Sequence, residues 1–428
     1  MSFLELLRRN RNYRHLWAGQ VVSEIGDYFN NIAVFSLALE TTGSGLVVSA
    51  VMLSRAIPAV LAGPVAGVVL DRFDRRTVMI ASDLVRGIVA LAFLLTLEYR
   101  ESWLLYMLSA VLMFASPFFT SGRAAILPAI TSIEELHTAN ALTQTTQWAT
   151  QTVGTLLAGV SAALLGYQWA FILNSISFLV SAAAIGRLRS NEGGFRARRG
   201  SQSTGPGLRP WHEYAEGLGY IKATPLVVGI AMLHVGWALG GGAAQILFTL
   251  FGEQVFHRGP AGIGAMWSFA GLGLLIGGAV GHQVGRRTGF EGCKHAVSLS
   301  YLVHGATYVA FSQAQSYAGA LLLVMLSRVG MAVASVLNNS QLLLHTPDEY
   351  RGRVFSTMES ARWATMIFSM AATGVATQHF SPRIIGVVAG LLACLTALAW
   401  VAANARGRLP EPARAPAGEV ELRGEPSA

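Results

Sequence analysis

Charged residues are scarce in this chain of 428 residues. Asp, Glu, Lys and Arg make up 13% of it, about half the share of an ordinary soluble domain, whereas 53% is hydrophobic. Only two cysteines are present, Cys293 and Cys394, and both lie in apolar stretches, which argues against a disulfide scaffold. The 46 glycines and 14 prolines follow no period. Soluble, disulfide-rich and collagen-like classes are therefore excluded.

Motifs of common catalytic classes are also missing. The sequence contains no Gly-x-x-x-x-Gly-Lys phosphate loop, no His-Glu-x-x-His and no closely spaced set of Cys and His. We therefore expect no enzymatic activity, no cofactor and no metal site. No cleavable signal peptide is apparent, because the first apolar stretch is long and contains Glu24 and Asp27.

What the chain has is long apolar stretches, with a mean hydropathy of +0.47 overall. A helix needs about 20 apolar residues to cross a bilayer. Twelve stretches meet this length, beginning at residues 16–39 and ending at 384–403, with the fourth at 103–120. The sequence therefore predicts an all-α membrane protein with twelve transmembrane helices. The predicted parts are an N-terminus (1–15), a six-helix bundle (16–185), a linker (186–222), a second six-helix bundle (223–403) and a disordered tail (404–428).

The basic residues are distributed very unevenly between the two sides of the membrane. Of 31, only Arg100, Arg258 and Arg383 lie in the odd-numbered connections and four lie inside spans, so 24 fall in the even-numbered connections and the termini. Positive residues accumulate on the cytoplasmic side. We therefore expect both termini in the cytoplasm, and the net charge of +8 indicates topology rather than nucleic-acid binding.

The two halves of the chain resemble each other. Residues 67–77 align with 278–288 and share Gly, Val, Arg, Arg and Thr, while Gln147-Trp148-Ala149-Thr150 aligns with Arg362-Trp363-Ala364-Thr365. Two six-helix halves in the same orientation are typical of secondary transporters that rock around a site at the membrane midplane.

The segment Gly67-x-x-x-Asp71-Arg72-x-Asp74-Arg75-Arg76 resembles the signature between the second and third helices of the major facilitator superfamily. Segments at 23–27, 123–128, 135–142 and 346–355 resemble its macrolide-efflux and enterobactin-exporter-like branch. The resemblance spans residues 13–403. Two departures are Thr155 after Gly154, where many antiporters have proline, and the lack of a mid-helix arginine in the fourth span.

This resemblance implies a monomeric, multi-pass transporter of the bacterial inner membrane with the major facilitator fold. It implies export of an amphipathic small molecule, a drug or siderophore-like compound, by alternating access coupled to protons. The alternative is movement of lysophospholipid or another lipid, which a related branch performs. A channel would need an oligomer or repeated filter loops, and a receptor or scaffold would need neither a gate nor buried carboxylates.

The resemblance also implies a cytoplasmic gate, which closes in the outward-facing state. The loop residues Gly67, Asp71, Arg72, Asp74, Arg75 and Arg76 would form it, with Gly67 allowing two helices to approach closely. The alternative is a solvated turn whose arginines only fix topology. We assign Asp83, Arg86 and Arg123 and, in the second half, Arg351, Gly352 and Arg353 to the same gate.

Glu24 and Asp27 lie three residues apart, and hence on one face of the first helix, well inside the span. Ionisable groups there are costly and mark functional sites by default. The sequence predicts that this pair exchanges protons or contacts substrate, with Arg55 as its basic partner. A purely structural ion pair is the alternative.

Polar and aromatic residues within the spans predict the cavity. Gln144, Gln147 and Trp148 form a stripe on the fifth helix, with Trp363 as the repeat partner of Trp148. His234, Trp237 and Gln245 form the candidate set on the seventh helix. Helix-to-helix packing would satisfy the same side chains.

Overall fold

The computed structural model describes residues 2–189, 195 and 210–412. In these residues the chain is helical apart from short connections, and it has no β-strand. Twelve helices are long: α1 (Arg11–Thr42), α2 (Gly45–Arg72), α3 (Arg75–Ala92), α4 (Ser102–Ile130), α5 (Ile133–Leu165), α6 (Tyr167–Gly186), α7 (Pro225–Leu250), α8 (Gly259–Arg287), α9 (Phe290–Gln313), α10 (Tyr317–His345), α11 (Asp348–Ala376) and α12 (Pro382–Ala405). Shorter helices cover Phe3–Arg9, Leu95–Tyr99 and Pro210–Ala223, and a π-helical turn at Phe251–Val255 extends α7.

Nine helices of the described chain are long and apolar enough to cross a membrane. Among the long helices, α1, α9 and α11 fall outside that group. Two of them owe their lower hydropathy to charged side chains in mid-helix, such as Glu24 and Asp27 in α1 and Glu359 in α11. The fold is an all-α membrane architecture of twelve long helices, as the sequence predicts.

Short connections reverse the chain at each end, so successive helices run in opposite directions. Local sequence fixes these ends. Gly43 ends α1 in the left-handed conformation, at φ 62°. Ser132 opens α5 with a capping box, in which its side chain accepts the Glu135 amide and Glu135 accepts the Ser132 amide.

We call α1–α6 the N-half and α7–α12 the C-half. The face at which α6 ends and α7 begins is the linker face, and the opposite one is the distal face. The two halves meet at the distal face. Gln254 Nε2 donates to Gly43 O at 2.9 Å, and Ser49 Oγ donates to Met370 O at 2.7 Å.

Helices α5 and α8 of the two halves cross closely at glycines near the distal face. A Cβ added at Gly159 would lie 2.6 Å from Pro260 O, and one at Gly264 would lie 2.4 Å from Thr155 O. Only glycine fits at both positions. The linker face differs, because a Cβ at Gly63 or Gly67 of α2 would meet no atom within 4 Å. The halves are thus joined at the distal face and separated along α2 toward the linker face.

Part of the predicted linker is helical. The helix Pro210–Ala223 packs on α11, where Glu216 lies 2.7 Å from Arg353 and Tyr220 stacks on Tyr350 with ring centroids 4.8 Å apart. The expected disorder of the tail is wrong for residues 404–412, because Leu409 is buried and its carbonyl accepts a hydrogen bond from Lys294 Nζ at 3.0 Å. Residues 413–428 lie outside the described chain.

Candidate transport site

Glu24 lies at the centre of a fully satisfied polar cluster between α1, α4 and α5. Its Oε1 is 3.1 Å from Arg123 Nη1 and accepts Gln20 Nε2 at 2.9 Å, while Oε2 accepts Thr150 Oγ1 at 2.7 Å. Both carboxylate oxygens are therefore engaged, and the charge is compensated. The packing of three helices holds this arrangement together.

Asp27, one turn further along α1, is bound much less completely. Its Oδ2 is 4.0 Å from Arg86 Nη1, beyond hydrogen-bonding distance, and its Oδ1 has no partner among the described residues. The Asp27 side chain is nevertheless 26% exposed. Oδ1 itself is buried, so this carboxylate inside the bundle is only partly exposed, and no hydrogen bond among the described residues holds it.

Arg86 is shared between two carboxylates and clamped by two aromatic rings. It is 2% exposed, donates from Nη2 to Asp83 Oδ1, and places its guanidinium 4.6 Å from the Phe119 ring centroid and 4.4 Å from that of Phe178. Rings on both sides fix the plane of the guanidinium. Asp27 thus faces a cation whose position is fixed and whose charge Asp83 already compensates in part.

The predicted partnership of Arg55 with Glu24 and Asp27 is wrong at the level of direct contacts. Arg55 donates to Asn31 Oδ1, and its Nη1 is 3.4 Å from Asn30 Oδ1. Depth explains the difference. Arg55 is ten residues from the distal end of α2, about 15 Å, which matches Asn31 on antiparallel α1, whereas Asp27 is about 22 Å from that end.

Three residues assigned to the gate belong to these clusters instead. Arg123 binds Glu24, and Asp83 and Arg86 lie beside Asp27. The predicted fourth span ended at residue 120, but α4 continues to Ile130, so Arg123 lies within the helix. Arg123 is seven residues from the end of this helix, so the expected lack of a mid-helix arginine is not contradicted. A charged residue suits that position because α1 supplies its counter-charge.

The loop residues of the predicted gate are bound within the N-half or are free in solvent. Arg75 Nη1 donates to Ala125 O at 2.8 Å, and Arg76 donates to the carbonyls of Ile185 and Gly186. Asp71 and Arg72 are exposed at the end of α2. The close helix approach expected at Gly67 does not occur here, because this part of α2 faces open space.

Asp74 has a defined structural task. Its Oδ1 accepts the Thr77 amide at 3.0 Å and caps α3, and its Oδ2 accepts the Phe195 amide at 2.8 Å. Burial alone would raise the pKa of this carboxyl, but the Phe195 and Thr77 hydrogen bonds outweigh it and lower the pKa from its ordinary value. Asp74 therefore ties residue 195 to the start of α3.

The C-half gate residues also bond within their own half. Arg351 donates to the carbonyls of Thr346 and Leu343, and Arg353 pairs with Glu216. A Cβ at Gly352 would meet no atom within 4 Å. At the linker face, Arg75 and Arg76 thus bond to carbonyls of the N-half, and Arg351 bonds to carbonyls of the C-half.

The predicted cavity residues are split between the two halves. Trp148 reaches across to α8, where its ring lies 3.2 Å from a Cβ added at Gly278, while Gln144 is exposed and Gln147 is half-buried. On α7, His234 bonds its own helix through Ile230 O at 2.9 Å, and Gln245 is half-buried.

Trp237 and Trp363 lie on either side of one arginine in the C-half. The Arg362 guanidinium is 5.9 Å from the Trp237 ring centroid and 5.0 Å from that of Trp363, and it also pairs with Glu359. Trp237 Nε1 is buried without a partner. Both tryptophans lie where a substrate could stack, and their role in the cavity stays a prediction.

Sequence reasoning gave no role to Arg328, a buried arginine of α10. It is 7% exposed, and its guanidinium lies 5.2 Å from the Phe248 ring centroid. An arginine in the middle of an apolar span was the available signal.

Comparisons with known proteins agree with this architecture. The chain is 27% identical over 402 residues to the uncharacterized MFS-type transporter YfiS of Bacillus subtilis, covering 92% of this chain and 93% of the relative. It is 24% identical over 269 residues to macrolide efflux protein A of Streptococcus pyogenes, covering 61% of this chain and 64% of that protein.

A solved structure has the same fold. A bacterial homologue of the iron transporter ferroportin, in an inward-facing state, superimposes with a TM-score of 0.70 at 18% identity, covering 91% of this chain and 98% of that one. The profile of the Major Facilitator Superfamily matches residues 16–370. Twelve long helices, a distal contact between two halves and this match lead to one assignment: the chain belongs to the Major Facilitator Superfamily.

Proposed function

We propose that this protein exports an amphipathic organic molecule, a drug or siderophore-like compound, from the bacterial cytoplasm by alternating access driven by protons. The observation that carries the proposal is Asp27, a partly exposed carboxylate inside the N-half that has no hydrogen bond among the described residues. The relationship to macrolide efflux protein A supports export of an organic compound.

The contrast between Glu24 and Asp27 supports a division of roles. Protonating Glu24 would disturb an ion pair and two further hydrogen bonds. Protonating Asp27 would break no hydrogen bond, and Arg86 would keep Asp83 as its partner. Asp27 is therefore the group that can take up and release a proton at small structural cost, and Glu24 is the structural pair.

The arrangement of the two halves supports alternating access. Small residues join the distal face, while a Cβ at Gly63 or Gly67 of α2, toward the linker face, would meet no atom within 4 Å. With the linker face in the cytoplasm, as the distribution of basic residues indicates, this arrangement is inward-facing. Substrate and protons would then reach Asp27 from the cytoplasmic side, in a protein embedded in the inner membrane as a monomer with both termini inside.

The test compares Asp27→Asn with Glu24→Gln. Cells that express each form are assayed for accumulation of labelled erythromycin, with and without an uncoupler that collapses the proton gradient. The wild type should lower accumulation, and Asp27→Asn should raise it to the level of cells without the gene while folded protein stays in the membrane. The amide keeps the shape of the side chain and removes only the titrating group.

Glu24→Gln is the matched control for a structural role. It leaves Arg123 buried and uncompensated, which costs about 3 kcal/mol, so it should lower the amount of folded protein more than the transport per molecule. Undiminished uphill export by Asp27→Asn would remove Asp27 from the coupling role. Labelled lysophosphatidylethanolamine serves as a second substrate arm, and transport of it alone would favour lipid movement over drug export.

A further inference from the structure

Arg328 is a buried arginine with no carboxylate within ion-pair distance among the described residues. Arg86 and Arg123 each lie beside a carboxylate, and Arg55, which also has no ion pair, donates to the amide oxygen of Asn31. For Arg328 the described contacts are Met331 Sδ, 3.3 Å from Nη1, and the face of the Phe248 ring. A thioether and an aromatic ring compensate a buried charge poorly, so this cation needs an anion.

Unpaired donors surround the same place. The Phe248 ring, under the Arg328 guanidinium, meets the Trp267 ring edge-on at 5.2 Å and the Phe311 ring at 6.1 Å, and Tyr308 lies 5.3 Å from Phe311. Trp267 Nε1 and the Tyr308 hydroxyl are both buried without a partner. We call Phe248, Trp267, Tyr308 and Phe311 the aromatic cluster. Buried N–H and O–H groups normally have a partner, which is protein, ordered water or a bound ligand.

The aromatic cluster is buried, with Phe248 and Phe311 fully enclosed, and it lies at the place where a substrate site is expected. Trp267 also packs with Phe29, Ile32, Ala158 and Ile263, which places it where the C-half meets the N-half below the distal contact. Arg328 is eleven residues from the distal end of α10, about 16 Å, and therefore near the membrane midplane. Substrate sites of such transporters lie at this depth, between the halves.

We infer that Arg328 binds an acidic group of the transported amphiphile, a carboxylate or a comparable oxyanion, while the aromatic cluster holds its apolar part. A guanidinium can donate two parallel hydrogen bonds to such a group, and Trp267 and Tyr308 provide further donors. The inference rests on the proposed function and adds that the site prefers molecules that carry a negative group.

The N-half and the C-half then have complementary tasks. Asp27 provides a carboxylate that changes charge, and Arg328 provides a cation that does not. An anionic substrate bound at Arg328 would supply the counter-charge that the empty site lacks. Binding would thus be strongest for an acid and weak for a cation of the same shape.

Two dyes of one scaffold test this. Fluorescein is an anion, and rhodamine 123 is a cation on the same xanthene ring system. Binding of each to the purified full-length protein is measured by fluorescence anisotropy. We expect saturable fluorescein binding that weakens about tenfold or more in Arg328→Gln and less in Arg328→Lys. Rhodamine 123 binding should be equal in all forms.

Two further variants separate binding from packing. Tyr308→Phe removes only the unpaired hydroxyl and should weaken fluorescein binding a few-fold. Arg406→Gln removes an exposed arginine at the end of α12 and should have no effect. The melting temperature of every form is measured, so that a misfolded variant is recognised.

Three results would overturn the inference. They are equal fluorescein affinity in folded Arg328→Gln and wild type, tighter wild-type binding of rhodamine 123 than of fluorescein, and absence of saturable fluorescein binding. Erythromycin carries an amine and no acid group, so its export should continue in Arg328→Gln, and it tests the proposed function separately from the anion site. If the wild-type protein does not export erythromycin, the proposed function itself is rejected.

Discussion

The distal and linker faces hold the halves by different means. At the distal face, glycines and backbone carbonyls meet directly, as at Gly159 and Gly264, and the Ser49 hydroxyl bonds a carbonyl across the interface. At the linker face, the charged side chains of the family signature bond within their own half or remain in water. Close backbone packing works only at one exact separation, whereas solvated charges tolerate separation at little cost.

This difference suggests how the two faces alternate. The free energy of the distal contact depends steeply on the distance between the helices, so small steric changes should open it. The linker face depends on charges that would meet only when it closes, so neutralising them should affect only the closed form. Each of the following changes tests one side of this comparison.

The largest effect is expected from Gly159→Ala. The added Cβ would meet Pro260 O at 2.6 Å and the Gly264 Cα at 2.9 Å, and backbone atoms cannot rotate away. Overpacking of this kind costs about 1–3 kcal/mol, which should favour a distally open form by about tenfold or more. A thiol placed at Ile263, which is fully buried, reports opening through its rate of maleimide labelling in a background with Cys293 and Cys394 replaced by alanine.

Gly186→Ala is the control for that experiment. It lies at the end of α6, where an added Cβ meets nothing within 4 Å, and it should leave labelling at position 263 unchanged. Equal labelling rates in folded Gly159→Ala and wild type would contradict a sterically set distal contact.

A smaller effect is expected from Asp71→Asn. Asp71 is exposed at the end of α2, and in the second repeat His282 occupies the equivalent position, so the acidic charge is specific to one half. If it pairs with basic residues when the linker face closes, its loss should cost the closed form about 1 kcal/mol and increase inward-facing molecules several-fold. A reporter thiol at Gln144, already exposed on α5, should then react faster.

That labelling experiment uses the same cysteine-free background. An unchanged rate at position 144, in protein that melts like the wild type, would mean that the signature loop only fixes topology.

The smallest effect is expected from Asp74→Asn, which affects one half alone. The lowered pKa means that the charged carboxylate stabilises the folded state above its ordinary pKa of about 3.9, and that this contribution is lost as pH falls through the lowered value. At pH 7 the free energy of unfolding of the asparagine form should be lower than that of the wild type by a few tenths of a kcal/mol, with a slightly lower melting temperature. At pH 2 the two forms should melt at the same temperature. A difference that persists undiminished at pH 2 would exclude the charge as its cause.

The sequence was sufficient for the twelve long helices, including α1 despite its polar residues, because span length and charge distribution are local properties. Helix ends were less accessible. Arg123 seemed to end the fourth span, since its compensating Glu24 lies on a helix a hundred residues away along the chain. The helix Pro210–Ala223 escaped notice because its polar sequence gains stability from docking on α11.

The sequence predicted which residues belong to the site better than it predicted which of them contact each other. Glu24 and Asp27 stand out as carboxylates in a span, but their different surroundings depend on which residues of α3, α4 and α5 lie at the same depth. Arg55 was matched to the nearest acidic residues by composition, whereas antiparallel packing sets it against Asn30 and Asn31. Arg328 needed the structure, because the lack of a partner is visible only when every neighbour is known.

The docking of Leu409 bears on how the protein can be truncated or fused. Its side chain lies 2.8 Å from a Cβ position at Gly229, and its carbonyl holds Lys294, so these residues complete the surface of α7 and α9. Deleting the chain after Ala405 would strip that surface and leave the Lys294 ammonium with Glu291 as its remaining described partner. A purification tag or fluorescent fusion joined beyond Glu411 preserves the contact, whereas one joined directly to α12 removes it.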